Sequence, residues 1–225
     1  MNKHGQGTDL SSDSRFVDAD DFFVGTKLNW WDREGPMKKL HDLNDLRVPY
    51  IQAETTHWLG TPRERPLKSL SILDIGCGDF IWMNLLLNKY YNSDKYLGLD
   101  IVDELIKNNN LKYSNDKISF KTFDLVKDEI PKGFDIILIR DVFIHLKNEQ
   151  IINFLNLLKN LDIKFFGVTS TPSLKKNNEL KAVGRYRDIN IEIEPFNLKD
   201  FLHKIDEKNN NDTLNIYEIK KHPII

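Results

Sequence analysis

The chain has 225 residues, enough for one three-layer domain with an elaborated arm and too few for a second catalytic domain. Its 32 Lys and Arg against 34 Asp and Glu leave a net charge of −2, which excludes bulk electrostatic attraction to nucleic acid. The run Met1–Gly7 has no apolar signal core, and no stretch approaches the ~18 apolar residues of a membrane span, so a cytoplasmic protein is expected.

Residues 1–20 are polar and rich in Ser and Asp, with no period that would bury surface, and are expected to be disordered or mobile. Residues 21–70 turn aromatic and mixed. Trp30-Trp31, then Leu40, Leu43, Leu46 and Tyr50-Ile51 at roughly helical spacing, predict a helical arm or lid. From residue 71 to 225, strand runs alternate with helical patterns, the signature of a mostly parallel α/β sheet. The first strand leads into Asp74-Ile75-Gly76-Cys77-Gly78-Asp79-Phe80, a turn whose two glycines allow backbone angles a side chain would resist and a close approach to a ligand at the start of the next helix. Such a turn is a nucleotide-type cofactor site. A dinucleotide fold places a third glycine where Ile81 stands, which counts against NAD and FAD. Cys77 cannot form an internal disulfide, being the one cysteine, and is read as a small packing residue.

The second strand, Tyr96–Asp100, ends in an acid suited to ribose hydroxyls, and the third, Ile118–Phe123, is followed by Asp124. The fourth, Phe134–Ile139, runs into Arg140-Asp141-Val142-Phe143-Ile144-His145-Leu146. Asp141 and His145 lie four residues apart, so a helical segment would put them on one face, with the carboxylate orienting the imidazole as a general base. From Asn148, Ile151, Phe154, Leu155, Leu158 and Leu161 form one helical face, and Phe165–Thr169 reads as a fifth strand. A polar segment, Ser170–Asp188, carries Arg185-Tyr186-Arg187, two guanidinium forks around an aromatic face that suit a phosphate or nucleotide-sugar acceptor. An alternating stretch, Ile189–Phe196, and a last strand around Leu214–Ile219 complete the chain. Paired His or Cys at ligand spacing do not occur, so no required metal is expected.

The Asp-x-Gly-x-Gly turn resembles motif I of the class I S-adenosylmethionine-dependent methyltransferases, and the acids at the second and third strand ends with the Arg140–Leu146 segment resemble the family's later motifs. Within that superfamily, Cys77–Met83 (Cys-Gly-Asp-Phe-x-Trp-Met) and Arg140–Leu146 (Arg-Asp-x-x-x-His-Leu) resemble a subgroup of small bacterial enzymes, as do Trp31, Gly35-Pro36, Arg185–Asn190 and Pro195-Phe196. The resemblance implies a Rossmann-like doubly wound sheet of the seven-stranded type with an N-terminal helical arm or lid. The short C-terminal part departs from the pattern and puts a complete terminal antiparallel hairpin in question. The resemblance also implies roles: Asp74, Gly76 and Gly78 on the methionine and ribose side, Asp100 on the ribose, Ile101 beside the adenine, Asp124 at its amino group, and Arg140 bordering the sulfonium.

The implied cofactor is S-adenosyl-L-methionine, with S-adenosyl-L-homocysteine as product. The reaction expected is O-methylation of a small-molecule or sugar hydroxyl, with nucleotide-sugar or surface-glycan modification, such as capsule polysaccharide, as the preferred setting. His145 with Asp141 would form the catalytic pair, and Arg185, Tyr186 and Arg187 the acceptor site. A small-molecule N-methyltransferase and a non-catalytic S-adenosylmethionine-binding partner stay open as alternatives. A DNA amino-methylating enzyme is disfavoured, because the loop after the fourth strand lacks the Pro-Pro run that holds a flipped base. The expected partners are a small-molecule or carbohydrate acceptor, with neither nucleic acid nor a membrane span, in a monomer or homodimer.

Overall fold

Strand runs of alternating or continuous apolar residues, separated by helical patterns, must bury two faces of a parallel sheet at once. In the computed structural model, which describes residues 70–89, 95–182, 185–207 and 212–219, they do so in one seven-stranded sheet ordered β3-β2-β1-β4-β5-β7-β6. β1 (Ser71–Ile75), β2 (Lys95–Asp100), β3 (Ile118–Thr122), β4 (Ile136–Ile139) and β5 (Phe165–Ser170) are parallel. β6 (His203–Glu207) and β7 (Asp212–Glu218) form an antiparallel pair, with β7 antiparallel to β5. The helices are α1 (Ile81–Lys89), α2 (Asp103–Tyr113) and α3 (Asn148–Leu158).

The period of two in each strand divides the core. Ile72, Ile136 and Leu138 face α1 and α2, packing with Trp82, Met83, Leu86, Tyr96, Ile106 and Phe120. Leu73, Ile75, Ile137 and Ile139 face the other way, toward Ile151, Phe154, Leu155 and Leu158 of α3 and toward Phe166 and Tyr217. Each large side chain so buried contributes ~1.5–3 kcal/mol, and the rings of Phe166 and Tyr217 stack with centroids 6.2 Å apart.

The chain builds β1, β2 and β3 outward on one side, then returns to lay β4 on the other side of β1. The crevice beyond the carboxyl ends of β1 and β4 is therefore the topological switch point, where open α/β sheets bind ligands.

One expectation changes. The terminal hairpin is complete: β6 is a polar edge strand in which Ile205 is buried, so its sequence carries little apolar signal. The alternating stretch Ile189–Phe196 is no strand but a series of turns. Ile189, Ile191 and Phe196 are nonetheless buried against the α3 side of the core, which is why they alternate. The polar segment before it is ordered by the buried Asn177, whose amide donates to the carbonyls of Asn190 and Glu194 (both 2.8 Å) and accepts the Asn190 N–H at 2.9 Å. The predicted mobile N-terminus, the helical arm and its Trp30, Trp31, Glu34, His41 and Tyr50 lie outside the described residues.

Asn177→Ala leaves these backbone groups unpartnered in a buried place. It is expected to destabilise the domain by roughly 2–3 kcal/mol in urea unfolding, with new proteolytic cleavage in the segment after β5.

Candidate active site

The strand-to-helix turn after β1 carries the sharpest backbone constraints of the described residues. Gly76 and Gly78 have φ of 79° and 55°, in the left-handed region where a Cβ is resisted. A Cβ on Gly76 would overlap the Val142 side chain, whereas a Cβ on Gly78 would project into open space. The Gly78 peptide is held from both sides: its N–H donates to Asp100 Oδ2 at 3.0 Å, and its carbonyl accepts from Asn109 Nδ2 at 2.7 Å. Phe80 also has a positive φ, 61°, a costly state for a bulky residue. Its ring is fully buried among Tyr96, Phe120 and Tyr113, with centroids 4.9, 4.8 and 5.2 Å away, and this packing offsets the strain.

Beneath the turn, Asp74 is 1% exposed and accepts a hydrogen bond from the Tyr96 hydroxyl at 2.8 Å. Burial raises its pKa to about 6, against the lowering effects of the Tyr96 bond and the Arg140 charge. Asp74 thus supports the glycine turn from below. Arg140, at the end of β4, is 8% exposed and stacks its guanidinium on Trp82, 4.6 Å from the ring centroid. Its charge faces Asp74 and, at 3.4 Å, the Asp141 carboxylate.

Asp100 accepts the Gly78 and Val102 N–H groups, one on each oxygen. Ile101 is half-buried in the bend that follows. Asp124 organises its own turn, accepting the Val126 N–H at 2.9 Å and pairing with Lys127 at 3.1 Å. Cys77 is buried, and burial followed by the charges of Asp100 and Asp74 pushes its thiol pKa well up, which suits packing rather than nucleophilic attack.

The segment after β4 is not α-helical. Asp141 has φ 56°, its N–H donates to Thr169 Oγ1 at 2.7 Å, and Phe143–His145 is a single 3₁₀ turn. The shared helical face expected for Asp141 and His145 is therefore replaced by another arrangement. His145 Nδ1 lies 3.1 Å from the carbonyl oxygen of Arg185, and Asp141 acts on the ring as a nearby charge. Burial lowers the His145 pKa, against the raising effects of the Arg185 carbonyl and Asp141. A carbonyl accepts only, so the neutral ring carries its proton on Nδ1 and presents Nε2 as the acceptor nitrogen.

Of the three residues expected at the acceptor, Arg185 and Tyr186 are exposed, and the Tyr186 ring centroid is 6.5 Å from that of His145. Arg187 is different: its guanidinium is committed to the carbonyls of Asn178 and Leu146 and to Asn148 Oδ1, so it is a clamp between chain segments rather than a fork for an acceptor. Asn109 was not foreseen, because one Asn in the run Asn108-Asn109-Asn110 reads as a solvated loop until the helix turns it inward. Among the described residues, no three His, Cys, Asp or Glu side chains gather as a metal site, and no helix is long and apolar enough to cross a membrane.

Residues 72–161, from β1 through α3, match the model of the methyltransferase domain family. Over these residues the chain is similar to S-adenosylmethionine-dependent methyltransferases. The domain is 32% identical over 133 residues to the mitochondrial ubiquinone biosynthesis O-methyltransferase of Bos taurus, covering 55% of this chain and 35% of that protein. It is 29% identical over 159 residues to the ubiquinone biosynthesis O-methyltransferase of Rickettsia akari, covering 69% of this chain and 59% of that one. The chain thus spans less than two thirds of the length of these relatives. The magnesium protoporphyrin IX methyltransferase of Synechocystis with bound S-adenosylhomocysteine shares the fold at a TM-score of 0.62 and 16% identity, over 88% of this chain and 96% of that one. The N-methyltransferase NodS of Bradyrhizobium japonicum does so at 0.55 and 12%, over 79% and 96%. S-adenosyl-L-methionine is the cofactor of this methyltransferase family, and the glycine turn, open above Gly78 and edged by Asp100, fits it.

Gly78→Ala costs the fold only ~1–2 kcal/mol through its φ, yet fills the space above the turn. It is expected to weaken S-adenosylhomocysteine binding at least ~10-fold by calorimetry while the chain stays folded. For Asp74, the folded pKa lies above the unfolded one, so its contribution to stability is complete below pH ~4 and lost as pH rises through about 6. The two-unit rise amounts to about 3 kcal/mol, and Asp74→Asn is expected to flatten that slope in unfolding measured from pH 4 to 8.

Proposed function

We propose that this methyltransferase domain transfers methyl to a hydroxyl of a small ring compound, phenolic or quinol-type, with His145 as general base. The observation that carries the reading is the 3.1 Å contact of His145 Nδ1 with the Arg185 carbonyl, in the segment that follows β4 at the switch point. S-adenosylmethionine, when bound, supplies a methyl group already activated for in-line attack. Gly76, Gly78, Asp100, Ile101 and Asp124 line the nucleoside side of its binding site. Arg140, stacked on Trp82 beside Asp74, would suit the cofactor's methionine carboxylate, which a cation attracts.

The chain's remaining task is positioning and proton removal. A histidine of lowered pKa stays neutral at pH 7 but is a weak base. A phenolic hydroxyl, with pKa near ~10, is within its reach. An aliphatic sugar hydroxyl, close to water at ~15.7, is much less so. The exposed Tyr186 ring beside His145 offers a flat face for an aromatic acceptor. The arginine fork argument for a nucleotide sugar loses its second member, since Arg187 is committed to backbone carbonyls. The names of the relatives, O-methyltransferases of ubiquinone biosynthesis, support oxygen as the atom methylated.

Methyl-labelled S-adenosylmethionine, offered with catechols and quinols, nucleotide sugars and small amines, is expected to label the phenolic oxygen. His145→Gln should lower turnover about 100-fold or more. The acidic limb of the rate profile should fall below the ordinary histidine value, because burial disfavours the imidazolium. Label on a sugar or amine, or an unchanged rate in His145→Gln, would overturn the reading.

A further inference from the structure

One side chain ties the segment after β5 to the segment after β4. Arg187 Nε donates to the Asn178 carbonyl (2.7 Å), Nη1 to the carbonyls of Leu146 (2.5 Å) and Ile144 (3.4 Å), and Nη2 to Asn148 Oδ1 (2.7 Å). The Arg187 backbone N–H adds a bond to the Ile144 carbonyl at 3.2 Å. Ile144 and Leu146 are the two neighbours of His145 in the chain, so the guanidinium grips the histidine's own backbone from either side. Two residues before Arg187, the carbonyl of Arg185 meets His145 Nδ1. The grip and the carbonyl therefore belong to one short stretch, and moving the first moves the second.

We infer that Arg187 is a positioning residue that sets the tautomer of His145. It acts by holding the Arg185 carbonyl against Nδ1. A neutral imidazole free in water favours the Nε2–H form, in which Nε2 can accept no proton, so the Arg185 carbonyl has to select the form with Nδ1–H. Lysine cannot replace Arg187, because one ammonium on a flexible stem does not span acceptors on Asn178, Ile144, Leu146 and Asn148 at once. The catalytic consequence rests on the proposed role of His145 as base, whereas the tautomer itself does not.

The test is long-range proton–nitrogen NMR of the full chain labelled with ¹⁵N-histidine, at pH 8, with the His145 signals assigned by their loss in His145→Gln. The wild type is expected to show His145 Nδ1 protonated and Nε2 bare. In Arg187→Lys, with the other histidine signals and the backbone amide spectrum kept, His145 should shift toward the Nε2–H form, and turnover of a catechol should drop about 10-fold at unchanged KM for S-adenosylmethionine. Arg187→Lys carries the test even where Arg187→Ala fails to fold. An Nε2–H ring in the wild type, or an Nδ1–H ring that persists in Arg187→Lys, would overturn the inference. A tautomer that responds to Arg187 in a protein whose His145→Gln variant keeps full turnover would support the positioning and sink the base assignment alone.

Discussion

The two hydrogen bonds on the Gly78 peptide are the constraint from which the rest of the site takes its shape. Asp100, at the end of β2, fixes the N–H, and Asn109, on α2, fixes the carbonyl. Between them they hold a left-handed turn at the mouth of the switch-point crevice. With the peptide pinned, α1 begins at Ile81, Phe80 is driven into the aromatic cluster, and the space above Gly78 is left clear. The backbone approach that a nucleotide-like ligand needs is thus held by bonds within the fold.

Burial tunes the charged groups around this turn in opposite directions. Asp74, cut off from water below the glycines, has its pKa raised to about 6, so it holds its proton more readily than a surface acid. His145, half-buried at the end of β4, is pushed the other way and stays neutral near pH 7. Desolvation leads in both cases, and each group is moved toward its uncharged form. The Arg140 guanidinium, stacked on Trp82 of α1, acts on Asp74 from this side.

The polar segment after β5 has three tasks that its composition conceals. Asn177 folds it on itself, Ile189, Ile191 and Phe196 bury it against the sheet, and Arg187 fastens it to the segment that carries His145. The glycine turn and the histidine thus sit at neighbouring strand ends but rest on different supports. One is held by α2 and β2, the other by a strap of irregular chain.

Local sequence determined the elements that depend on short-range physics. The strand β1, the two-glycine turn, the acid ending β2, the amphipathic helix α3 and the alternation of strands with helices were all legible, because side-chain period and backbone permission act within a few residues. The edge strand β6 was not, since an edge needs only Ile205 on its buried face. Nor were the roles of Asp141, Arg187 and Asn109. Whether an Asp orients a histidine, an arginine meets a ligand or a carbonyl, or an asparagine faces water or a glycine depends on groups 28 to 43 residues away in the chain. The sequence by itself determined where a cofactor turn could form. Only the tertiary structure decided which polar side chains stay open to a ligand and which are used to hold the backbone, because that choice is made by packing between distant segments.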